Sequence, residues 1–228
     1  MIRDRPLEGH QKETVDKITL FDQVRVLWQI LKTVQFWNVS LIGAVLFIPI
    51  NVLASLWGID FIQSKLFVTE SYAAGINAML FVGSAVGYIV VSVISAYIKN
   101  YRIMLVISSF LLTIISTILI FVSMPIWVFV TLFTLLGVSI GPQALTFEIG
   151  KHVSPEGATA SAVSGVNMMN NLVAAILLPV FGWMLASSAH GASGVLPLND
   201  YYYAMSMLPI LTLICVPFCL LLPKKIGH

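Results

Sequence analysis

An all-α membrane protein with six spanning helices is the fold class this sequence predicts, from three observations. The 228 residues are 58% hydrophobic and 10% charged, with a mean hydropathy of +0.95, a composition foreign to soluble domains. Six apolar stretches, at 36–56, 72–97, 103–122, 125–147, 158–186 and 201–222, approach or exceed the roughly 20 residues that a helix needs to cross hydrocarbon. The basic residues fall in alternate connections between them.

That third observation sets the orientation. Of 12 basic residues, Arg3, Arg5, Lys12, Lys17, Arg25 and Lys32 precede the first stretch. Lys99, Arg102, Lys151, Lys224 and Lys225 fall on the same side if the spans alternate, and only Lys65 falls on the other. The distribution predicts that both termini are cytoplasmic and that the protein is multi-pass in the inner (plasma) membrane. The net charge of +2 then reports topology and not a nucleic-acid partner. Trp37, Trp57, Trp127 and Trp183 lie near predicted span ends, as do Tyr72, Tyr97 and Tyr201 to Tyr203, reading as an interfacial belt.

In chain order, residues 1–35 read as a cytoplasmic lead carrying an amphipathic helix. Leu20, Val24, Leu27, Leu31 and Val34 recur at helical spacing, and Thr19 and Asp22 suit its start. Nothing there resembles a signal-peptide core. The first span holds Pro49, expected to perturb the helix, and Asn51, about 22 Å in at 1.5 Å per residue. The second holds Gly83-x-x-x-Gly87, which permits close helix approach. On an adjoining face it holds Asn77, Phe81, Ser84 and Tyr88. That polar and aromatic stripe suits either a substrate-facing surface or a packed contact. Tyr88 lies deep in the span, so its hydroxyl is expected to find a buried partner.

The third span is almost wholly aliphatic and reads as a lipid-facing support. The fourth carries Thr131, Thr134, Ser139 and Gly137-x-x-x-Gly141-Pro142-Gln143, which predicts close packing and a bend. Glu148 just beyond it opposes the helix macrodipole and is expected to pair with Arg102, Lys99 or Lys151. Ser154-Pro155-Glu156 suits the start of the fifth span. Residues 187–200 read as an outer loop, the sixth span as aliphatic, and 223–228 as a cytoplasmic tail. Cys215 and Cys219, four apart, read as packing residues.

The fifth stretch organises the rest. Ser164, Asn167 and Asn171 share one helix face. Amides inside a membrane must find partners. They face a substrate path or they join helices. The central part of no predicted span carries an ionisable residue, so proton coupling through this chain is not expected. Catalytic chemistry is not expected either. Ala162-Val163-Ser164-Gly165 lacks the first glycine of a rhomboid-type nucleophile motif, and His10, His152, His190 and His228 lie outside the spans. No cofactor or metal ligand set is evident. The absence of an arginine-rich sensor or filter loop disfavours a channel. A non-transporting scaffold or gene remnant stays open.

In order and spacing the chain resembles the C-terminal six-helix half of a major facilitator superfamily (MFS) transporter, itself a 3+3 inverted repeat. Arg3-Asp4-Arg5-Pro6 resembles the end of the sixth helix of such transporters, and Leu56-Trp57-Gly58-Ile59-Asp60-Phe61 the turn after the seventh. Gly83 through Arg102 is similar to the eighth helix and its loop, although Ser95 to Arg102 keeps the bases and lacks the acid. Glu148 through Asn167 resembles the end of the tenth helix and the eleventh. The resemblance implies that the first and fourth spans line a cavity, the second and fifth flank it, and the third and sixth support them. It also implies alternating access, a loose kinship with bacterial nutrient importers, and a missing N-terminal half, replaced or supplied by a companion chain or a second copy. The implied substrate-binding set is Asn51, Asn77, Ser84, Tyr88, Thr131, Thr134, Ser164, Asn167 and Asn171. Its neutrality suits a small polar solute. Glu148, Arg102, Lys99 and Lys151 form the implied cytoplasmic charge set.

Overall fold

A computed structural model describes residues 28–154, 158–188 and 197–223. Among the described residues there is no strand, and six helices are long and apolar enough to span a membrane. They are α1 (Val34–Leu66), α2 (Glu70–Tyr97), α3 (Tyr101–Phe121), α4 (Ile126–His152), α5 (Thr159–Ser188) and α6 (Leu198–Leu220). A helical stretch over residues 28–31 precedes them. The amphipathic periodicity before residue 28, the Pro155-Glu156 start signal, most of the outer loop and the final lysines lie outside the described residues.

The first helix runs ten residues further than hydropathy predicts, and Leu56-Trp57-Gly58 is no turn. Pro49 lacks the N–H that would continue the ladder and crowds the carbonyl four residues back. The chain answers by widening into a π-helix over Ile50–Trp57, then resumes α geometry over Gly58–Leu66. Gly58 serves space and not turning. A Cβ there would lie 2.8 Å from the Leu53 carbonyl carbon and 2.5 Å from Asn77 Oδ1. The helix stops at Phe67, which adopts the left-handed conformation (φ 54°) and returns its N–H to the Gln63 carbonyl at 2.9 Å.

This extension corrects two further expectations. Trp57 is not a boundary marker: it sits inside α1, its ring 3.6 Å from the space beside Gly182 of α5, its indole N–H buried without an acceptor. Lys65 joins the helix and is buried. Its Nζ donates to the Ile120 carbonyl at 2.7 Å and lies 5.3 Å from the Tyr202 ring centroid. The cation thus meets the C-terminus of α3, where the helix dipole favours it. Tyr201 leaves the predicted belt as well, packing 6.0 Å from Phe61 in a core that continues through Phe129 and Phe133.

α1 is central: it packs against all five other helices, and 67% of its most apolar window is buried. The corresponding share is 28% for both α2 and α5, against 50% for α3 and 44% for α6. The third span keeps one exposed apolar stripe, Ile103, Ile107, Phe110, Ile114 and Phe121, and buries its other face. Its hydroxyls anchor it inward: Ser108 donates to the Ser139 carbonyl of α4, Thr113 bonds Thr212 of α6 at 2.9 Å, and Ser109 meets Cys219 at 3.7 Å. Cys215 and Cys219 are buried and unbridged, their sulfurs 3.9 Å apart.

α2 and α4 make the closest crossing. Gly83 and Gly87 of one meet Gly137 and Gly141 of the other, and the missing side chains let backbone touch backbone. Beyond Gly141 the predicted irregularity is a short 3-10 segment, Gly141–Ala144, with Pro142 at its start. Pro142 cannot donate an N–H, so the tighter turn replaces a broken ladder.

Candidate functional site

The nine residues expected to line a substrate path fall in three places. The first is the contact between the π-helical part of α1 and α2. A π-turn displaces carbonyls from their usual donors, and such turns recur at functional sites. Asn77 repairs this one: its Nδ2 donates to the Ala54 carbonyl at 2.9 Å. Its Oδ1 is buried without a donor. Asn51 turns back on its own helix, Nδ2 donating to the Phe47 carbonyl at 3.5 Å. Asn77→Leu removes the only donor given to Ala54 by another helix. The expected cost is about 0.5–1.5 kcal/mol, in the range of interhelical amide bonds in membranes. Faster amide exchange confined to residues 50–58 would report it, and unchanged exchange there would refute the repair role.

The second place is the glycine crossing. Ser84 is buried, donating to the Phe81 carbonyl at 2.8 Å, with its backbone against Gly137. The Thr134 carbonyl faces Gly83, and the Thr134 hydroxyl bonds the Val130 carbonyl at 2.8 Å. Thr131 is exposed and bonds the Trp127 carbonyl. Tyr88 is only half-buried and makes no hydrogen bond among the described residues, contrary to expectation.

The third place is α5, where Ser164, Asn167 and Asn171 are all exposed on one face. Asn171 Nδ2 donates to the Asn167 carbonyl at 2.8 Å. That leaves the Asn167 side chain uncommitted among the described residues. Among the described residues no other helix covers these amides.

The amide of α5 buried between helices is Asn170, which sequence reading passed over. It is 3% exposed. Its Oδ1 and the Thr146 hydroxyl of α4 converge on Gly43 of α1, 3.1 Å and 2.7 Å from where a Cβ would stand. Thr146 spends its proton on the Gln143 carbonyl at 2.7 Å. Asn170 Oδ1 has no N–H or O–H donor among the described residues. A signal existed: Ala162, Val166, Met169, Asn170 and Ala174 form a small and apolar stripe, and such stripes mark packed membrane interfaces.

The predicted charge set divides. Glu148, inside the last turns of α4 and not beyond it, accepts from Lys151 at 2.7 Å and lies 3.6 Å from His152 Nε2. Both bridges are about 40% exposed and stabilise by at most about 1 kcal/mol. Arg102 does not join them. Its Nη1 donates to the Leu222 carbonyl at 3.4 Å, capping α6. Lys99 makes no ion pair among the described residues.

Two cavities are open at the surface. One, of about 450 Å³, lies between the start of α2 and Val130, and the other, of about 650 Å³, lies between α1, α5 and α6. Neither includes any of the nine predicted residues. Among the described residues no cluster of His, Cys, Asp and Glu suits a metal ion. Fold and surface together define a multi-pass helical membrane protein in contact with the lipid bilayer. No family model, curated protein or solved structure matches the chain.

Proposed function

We propose that this chain moves a small polar solute by alternating access, as the C-terminal half of an MFS-type secondary transporter completed by an N-terminal half or a second copy. One observation carries the reading: Ser164, Asn167 and Asn171 share an uncovered face of α5. Amides facing acyl chains are unfavourable. A companion bundle would supply their partners and a water-filled path. α2 and α5, the flanking helices of that family, are also the least buried spans, as helices awaiting a partner would be. Substrate sites in such transporters form at the interface between repeats. The excess of basic residues at one end supports cytoplasmic termini and an inner-membrane location.

A non-transporting scaffold is the second reading, favoured by the absence of the nine residues from both cavities. Proteoliposome uptake separates the two. With labelled amino acids, nucleosides and sugars, uptake is expected only when the chain is co-reconstituted with a six-span N-terminal half, or as a dimer. Robust uptake by the monomer would sink the half-transporter reading. No uptake in any pairing would leave the scaffold.

A further inference from the structure

The 650 Å³ groove sits at the basic end of the bundle, apart from every residue discussed as substrate-lining. Val34, Trp37 and Leu41 of α1, Met169 of α5, and Phe218 and Leu221 at the end of α6 form its walls. Its only polar lining is Gln35 and Asn38, and Asn38 Nδ2 is committed to the Phe218 carbonyl at 3.2 Å. Trp37 is committed too, its Nε1 donating to the Leu31 carbonyl at 2.7 Å. Val34 and Leu221 at the mouth are 81% and 74% exposed. From that mouth the groove follows α1 inward to Leu41, seven residues and roughly 10 Å deeper.

Among the described residues, two cations lie beside this lining. Lys32 stands two residues before Val34, its ammonium over the Trp28 ring at 5.5 Å. The Arg102 guanidinium bonds the carbonyl of Leu222, next in sequence to Leu221. The carboxylate nearest in sequence on α4, Glu148, is already held by Lys151. An apolar slot that descends into the bilayer beside two cations matches one chemistry: an acyl chain below an anionic headgroup.

We propose that this groove holds an anionic phospholipid, with one acyl chain along Leu41, Met169 and Phe218 and the phosphate near Arg102 and Lys32. This site is independent of the transport reading and needs only a membrane-spanning chain. It would bias which lipids surround the α1–α6 junction that Asn38 ties together. Each basic residue near an anionic headgroup strengthens binding roughly fivefold.

The test is thermal unfolding of the full chain in detergent micelles, titrated with phosphatidylglycerol, phosphatidylcholine, or inorganic phosphate. Phosphatidylglycerol is expected to raise the midpoint by about 3–6 °C at saturation. Phosphatidylcholine and free phosphate should do little. In the double variant Lys32→Gln, Arg102→Gln the preference for phosphatidylglycerol is expected to fall at least tenfold in the concentration required. Leu41→Trp, which fills the slot, should abolish the response. The charge variant leaves the apolar walls intact and so covers the case in which Leu41→Trp fails to fold. Equal stabilisation by both lipids, a full effect of inorganic phosphate, or an undiminished response in the charge variant would overturn the proposal. So would a change from dimer to monomer in Leu41→Trp without lipid preference, which would assign the groove to a second copy.

Discussion

Gly137→Leu is expected to lower the thermal unfolding midpoint more than any other single change considered in this protein. A Cβ at Gly137 would lie 2.8 Å from the Ser84 nitrogen and 3.0 Å from the Gly83 Cα. Those are backbone atoms of α2, which cannot rotate aside as side-chain tips do. The reciprocal positions are equally closed: at Gly87 and Gly141 a Cβ would lie 2.9 Å from the Cα atoms of Val138 and Gly87 respectively. Accommodating even one methyl separates α2 from α4. Gly137→Ala should therefore cost about 1–3 kcal/mol as overpacking does, and leucine more. For a chain of this size that is a fall of roughly 3–10 °C for alanine. Gly75 supplies the control, since nothing lies within 4 Å of its missing Cβ. Gly75→Ala should be neutral or stabilising by up to about 1 kcal/mol, through helix propensity alone. Equal effects at Gly75 and Gly137 would mean that the glycines act through helix flexibility and not through contact.

The double variant Asn167→Leu, Asn171→Leu is expected to fold normally and to lose transport in the paired system. Both side chains are exposed from the bundle, and the one hydrogen bond lost is local to α5. Its removal should change stability by less than about 1 kcal/mol. A bulky change at Asn170 should do the reverse at the level of the fold. Leucine is close to asparagine in shape and removes a buried oxygen that has no donor, so the change that tests the packing is Asn170→Phe, whose larger ring is forced against Gly43 and Thr146 at a cost of about 1–3 kcal/mol. A circular-dichroism melt beside an uptake assay distinguishes the two. Unchanged uptake in the double variant would reduce those amides to surface polarity with no transport role. A collapsed melt would mean they hold the fold.

These two experiments bracket how far the chain's own pattern reaches. The glycine repeats of α2 and α4 were each legible as close-packing signals, yet nothing local says that they meet each other. The amide run was legible as the polar centre of the fifth span. Its helical phase grouped Ser164, Asn167 and Asn171 on one face but did not say which side faces the protein, nor that Asn170 is the buried amide. The cavity at the α1–α6 end left no mark at all, because its walls are ordinary apolar residues drawn from three helices.

Six spans, their rough limits and the sign of each end follow from the sequence alone, because transfer into hydrocarbon is a property each residue carries and a short window sums. What only the assembled helices decided is of another kind. Lys65 is buried because the end of α3 and the Tyr202 ring are there to receive it. α1 continues through Trp57-Gly58 because Asn77 of α2 occupies the space beside Gly58 and binds the Ala54 carbonyl. Arg102 caps α6 and leaves Glu148 to its own helix. Each of these depends on a partner 20 to 120 residues away, and no local sum of hydropathy contains that partner.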